Sequence, residues 1–129
     1  NIEDLLAGRG PLAAGSAISQ GTETLALGDN FDFSAGGVTA NANAADFFFA
    51  VGDTFRVEFS DRSAIRDTGG NFTVAPSLTP GSDIQATIGP GHYYAVLTLE
   101  GGYGKLRVVN AAAASVSIEW WYQPSGNIF

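Results

Sequence analysis

The chain has 129 residues, one domain's worth, with 13 Asp and Glu against 6 Lys and Arg (net charge −7), 45% apolar residues, 17 Gly, one His and neither Cys nor Met. Without Cys there is no disulfide framework, thiolate metal site or thiol nucleophile, and the single His92 argues against a histidine-rich metal centre or a His-dependent relay. An acidic chain with no basic block is a poor partner for nucleic acid, whose phosphates supply most of the affinity, and no apolar run approaches the ~20 residues that span a bilayer. The low charge and ample apolar content also argue for a packed core over disorder.

Residues 1–22 (NIEDLLAGRGPLAAGSAISQGT) differ from the rest: small, apolar and punctuated by Gly. Asn1 is placed to cap one short helical piece, with Glu3 and Asp4 in its first turn and Leu5 and Leu6 as its apolar face. Gly8, Gly10 and Pro11 would stop it. A frayed end is ordinarily polar, and this segment instead carries Leu5, Leu6, Leu12 and Ile18, so it reads as an arm. The chain opens on Asn1, which leads us to expect that a preceding segment was removed.

From Glu23 onward the apolar pattern has a period of two. In 54–60 (TFRVEFS), Phe55, Val57 and Phe59 point one way and Arg56 and Glu58 the other. In 105–108, Leu106 and Val108 alternate with Lys105 and Arg107. In 115–122 (SVSIEWWY), Val116, Ile118, Trp120 and Tyr122 share a face, opposite Ser117, Glu119 and Trp121. These are half-buried antiparallel strands. The run 92–99 is apolar on both faces and suits a central strand. Further candidates are 23–27, 46–51, 72–75 and 84–88. Turn chemistry separates them at Gly28-Asp29-Asn30, Gly36-Gly37, Gly52-Asp53, Gly69-Gly70-Asn71, Pro80-Gly81, Gly89-Pro90-Gly91 and Gly101-Gly102. The run 110–114 (NAAAA) is too short for a helix of its own and reads as a connection between strands. Roughly seven or eight short strands so punctuated predict an all-β fold: an antiparallel β-sandwich or jelly-roll-like domain over residues 23–129, with the arm at 1–22.

The chemistry-bearing residues form no convincing constellation. His92 follows a Gly-Pro-Gly turn at a strand start, and no G-x-S-x-G nucleophile elbow accompanies it. Glu58, Glu100 and Glu119 could supply a carboxylate pair for glycoside hydrolysis, but Glu58 and Glu119 alternate with apolar residues and read as solvated. Asp29, Asn30 and Asp32 crowd one turn, and Asp61 and Asp67 bracket another, without the register of a calcium loop. Gly104-Lys105 is followed by Leu106 and lacks the spacing of a phosphate loop. Neither a metal, a cofactor nor catalysis is expected. Trp121 is the most suggestive single residue, because an outward Trp suits an interface, an aromatic sugar platform or a cover of the same chain. The apolar ending Ile128-Phe129 is expected to tuck into its own core or a neighbour. The alanines of 40–50 and 111–114 suit close packing with neighbours.

Residues 52–84 carry a resemblance. Gly52-Asp53 leads into the strand 55–59, then Asp61, the Gly69-Gly70-Asn71 loop, Phe72-Thr73-Val74, the Pro80-Gly81-Ser82 loop and Ile84. This order resembles a β-rich module of structural proteins of tailed bacteriophages, of the capsid-decoration and fibre type. The strands 93–99, 104–110 and 118–123 are similar to the closing strands of such proteins. The resemblance implies a structural role, no catalytic residue and a place in the virion.

The function expected is therefore a non-enzymatic structural subunit of an extracellular assembly, most readily a phage capsid decoration (cement) protein. Its partners would be copies of itself and a major capsid or other virion protein, with no nucleic acid and no membrane. The interface residues would be Leu5, Leu6, Leu12, Ile18, Trp121, Ile128 and Phe129. A secreted pilus-like filament subunit, donating residues 1–22 as a strand, is one alternative. A carbohydrate-binding module built on Trp121, Tyr93, Tyr94 or Tyr103 is another.

Overall fold

A computed structural model describes residues 18–129, and the leucines at positions 5, 6 and 12 lie outside the described residues. Among the described residues, ten strands form two antiparallel five-stranded sheets, consistent with a β-sandwich. The strands are β1 (Ser19–Ala26), β2 (Asn30–Asp32), β3 (Gly37–Thr39), β4 (Phe47–Ala50), β5 (Thr54–Arg56), β6 (Ala64–Gly69), β7 (Gln85–Thr87), β8 (Tyr93–Leu97), β9 (Tyr103–Ala112) and β10 (Ser115–Gln123). One sheet runs β1-β10-β9-β8-β6 and the other β3-β2-β4-β5-β7.

The period of two decides which side chains meet between the sheets. In β10, Val116, Ile118, Trp120 and Tyr122 are buried, while Ser117, Glu119 and Trp121 stay half-exposed on the outer face. Its neighbour β9 contributes Leu106 and Val108, and β8 contributes Tyr94 and Val96. The second sheet supplies Phe31, Phe47, Phe49 and Phe55, with Phe33 just past β2. Aromatic rings therefore fill the middle. The Phe33 ring meets those of Phe31 at 4.9 Å, Phe47 at 5.9 Å, Tyr122 at 6.1 Å and Trp120 at 6.3 Å, edge-on to Phe31 and Trp120. It lies directly over Gly104, where any Cβ would strike the ring. Only glycine fits that position of β9.

The outer face of the first sheet is partly covered by its own chain. The stretch between β6 and β7 folds back over it, and the last residues lace into that stretch. Ala75 N–H donates to Asn127 C=O at 2.8 Å, Phe129 N–H donates to Thr73 C=O at 2.7 Å, and Val74 pairs with Ile128 as an isolated bridge. Arg66 on β6 pins the far end through Asp83, with Nε–Oδ1 at 3.1 Å and Nη2–Oδ2 at 2.7 Å. This hydrogen-bonded guanidinium holds the Asp83 carboxyl below the usual carboxylate range.

The expected all-β fold holds, with differences of detail. The described residues hold ten strands where seven or eight were expected, because β2, β3 and β6 show no clear alternation: two are three residues long, and β6 reads AIRDTG. The run 72–75 makes only the one bridge. The ladder of β5 ends at Arg56, although Val57 is still buried and its N–H reaches Ile84 C=O at 3.1 Å. The first strand begins at Ser19, so residues 19–22 of the expected arm belong to the sheet, paired with Tyr122 through Glu119.

Candidate interaction surfaces

Trp121 faces outward from β10 as its alternation requires, yet its own chain engages it. Lys105, opposite it on β9, places its ammonium 4.8 Å from the Trp121 ring centre and 5.3 Å from those of Phe72 and Phe129. The same Nζ donates to Phe72 C=O at 2.9 Å and Asn71 Oδ1 at 3.0 Å. Lys105 is only 7% exposed, and burial lowers its pKa. Tyr93 stacks on Trp121 with ring centres 6.3 Å apart. The indole is thus held between a buried cation and a second ring, which makes it a cover for Lys105 more than a free platform.

Phe129 packs edge-on against Phe72 at 5.8 Å, so the aromatic end is tucked into its own chain. Ile128 beside it is 64% exposed. Ile18 is half-buried just ahead of β1. Trp121 and Phe129 lie on one face of the fold through Lys105, whereas Ile18 precedes the edge strand.

His92 pairs through Nδ1 with Asp67 Oδ2 at 2.9 Å on the surface. Arg107 pairs with Glu119 at 2.8 Å across β9 and β10, and Glu58 is exposed. Both pairs are well exposed, and exposed pairs of this kind contribute little. Asp29 serves its turn, with Oδ2 accepting from Ala26 N–H at 2.9 Å.

A carboxylate cluster that the sequence did not flag joins the two sheets. Asp32, Asp46 and Glu100 each bring one oxygen within 4.8 Å of the others. Asp46 is fully buried; its Oδ2 accepts from Phe33 N–H at 2.7 Å and its Oδ1 from Leu99 N–H at 3.0 Å. Asp32 accepts from Ser34 N–H at 3.0 Å and Ser34 Oγ–H at 2.7 Å. Asp46 therefore clamps the chain after β2 to the turn between β8 and β9. Burial pushes its carboxyl up to about 7, outweighing the two N–H bonds that favour the charged form, and Glu100 and Asp32 push the same way. Sequence reading missed the cluster because Asp46 opened a strand candidate, Asp32 sat in a turn and Glu100 lay far along the chain.

An exposed apolar end is the other feature. At the end of the sandwich where β1 stops and the β9–β10 hairpin turns, Leu27 is 46% and Val51 71% exposed, and Ala111 to Ala114 all face solvent. Leu27 N–H donates to Ala114 C=O at 3.1 Å and Gly28 N–H to Phe49 C=O at 2.8 Å, which draws these three loops together. Two grooves meet there at Phe49. One, of about 360 Å³, runs between Asp53, Ile88, Pro90 and Ala111 to Ala113. The other, of about 220 Å³, runs between Leu27, Phe48, Val51 and Arg56. Of the alanine runs expected to pack on neighbours, 111–114 is open; in 40–50, Ala40 is exposed, Ala42 and Ala44 are half-buried, and Ala45 and Ala50 are buried in their own chain. The four consecutive alanines were the available signal; the loops that join them came from distant positions.

Compared with known proteins, the chain matches no family model, no curated protein and no solved structure.

Proposed function

We propose that the protein is a non-enzymatic packing subunit of an extracellular assembly and that its apolar end is the principal contact. The observation that carries this reading is the cluster of Leu27, Val51 and Ala111 to Ala114, exposed together around one rim. Apolar surface of this kind gains roughly 25 cal/mol for each Å² removed from water, and contiguous patches mark contact sites. Small alanine side chains let a neighbour's backbone approach closely. The capsid-decoration form of the reading rests on the resemblance of residues 52–84 to phage structural modules. In that form the partners are copies of this chain and a virion shell protein.

The test is substitution at the rim. Val51→Asp places a charge on the patch at a position already 71% exposed, so the unfolding free energy should move by no more than about 0.5 kcal/mol. Light scattering after size exclusion should show the species larger than one chain lost. Association equal to that of the unaltered protein would sink the reading. Trp121→Ala is the contrasting variant: it should leave association intact and lower stability, because Trp121 covers Lys105.

A further inference from the structure

The rim has two grooves, and the chain has an apolar segment to place in them. We propose that residues 1–17 of one copy dock in the apolar end of the next, joining copies head to tail; this rests on the packing reading above.

Direction is the first argument. β1 is the edge strand of its sheet and runs from Ser19, opposite Tyr122, to Ala26, opposite Ser115. The segment before Ser19 therefore enters at the end of the sandwich opposite the grooves. Its own grooves lie a full strand away, about 26 Å for eight residues, and reaching them requires reversing at Ile18. A copy stacked end-on offers the same grooves with no reversal. Seventeen residues reach at most roughly 60 Å, which is ample.

Chemistry is the second. Glu3-Asp4-Leu5-Leu6 sets two acids beside two leucines. The smaller groove sets Arg56 beside Leu27, Phe48 and Val51. The larger groove, lined by Phe49, Ile88, Pro90, Val116 and three alanines with Asp53 as its one charged residue, takes an apolar side chain such as Leu12, away from the acids at positions 3 and 4. At the smaller groove, charge meets opposite charge where leucine meets an apolar wall.

The contact is heterologous, with different surfaces on the two partners. Such contacts build filaments or closed rings, whereas an isologous contact stops at a dimer.

Complementation between two variants of the 129-residue chain tests this. One carries Leu5→Asp and Leu6→Asp, which takes the two leucines from the docking segment and keeps the grooves. The other carries Val51→Asp, which sets an acid in the smaller groove against Glu3 and Asp4 and keeps the segment. Each alone should run as a single chain in sedimentation velocity. Mixed, they share one intact junction and should form a two-chain species and nothing larger. A mixture that stays single-chain, or a Leu5→Asp/Leu6→Asp protein that associates like the unaltered one, overturns the inference. Either result leaves the packing reading standing if the unaltered chain still associates. If the unaltered chain never associates, both fall.

Discussion

Replacing Phe33 by alanine should cost about 3–5 kcal/mol, a large share of the ~5–15 kcal/mol that holds a domain folded. Phe33 is 1% exposed and touches rings from both sheets: Phe31 and Phe47 on one, Trp120 and Tyr122 on the other. Its ring also occupies the space above Gly104. Truncation therefore opens a cavity whose floor has no side chain to relax into it, the circumstance in which cavity costs are highest. Urea unfolding followed by tryptophan fluorescence reads the effect as a lower midpoint at unchanged slope. A shift no larger than that of an exposed substitution would mean that the core does not centre on Phe33.

The second large effect is on pH. Asp46 carries a carboxyl raised from 3.8 to about 7 by burial. Between those values the folded chain holds a proton that the unfolded chain has released. Its contribution to stability is fully present below about pH 4 and is lost as pH rises through 7, at up to about 1.4 kcal/mol per unit. The groups facing Asp46 are Asp32 and Glu100, both acidic, so ionisation there adds repulsion to desolvation. Asp83 has the opposite sign: its lowered carboxyl contributes stability that is present above pH 4 and lost on further acidification. The stability maximum should accordingly lie at mildly acidic pH. Unfolding free energies taken from pH 5 to 8 should fall, and Asp46→Asn should flatten that slope. The asparagine also turns an NH2 toward one of the two backbone N–H groups, so its overall stability drops; the slope is the diagnostic. Stability that climbs from pH 5 to 8 would contradict the assignment.

The strands that positioned the core were legible wherever alternation ran for several residues. In β10 each inward residue was identifiable, down to the opposite facing of Trp120 and Trp121. Each of the seven Gly-containing turn clusters holds a glycine at positive φ. Three-residue strands such as β2 and β3 carry too few alternations to be seen, and β6 pairs through its backbone despite a polar sequence. The surfaces were less legible, because they are made by residues far apart in the chain. The outward facing of Trp121 was legible, whereas Lys105 and Tyr93, which pack against its ring, come from other strands. Leu27 and Val51 looked unremarkable until the Ala111 to Ala114 tip was placed beside them.

A chain that packs on copies of itself has a mass in solution that depends on concentration. Sedimentation velocity on the unaltered protein over a broad concentration range should show an average mass that climbs above the 13.4 kDa of one chain as concentration rises. A mass that stays at one chain throughout would rule out self-packing.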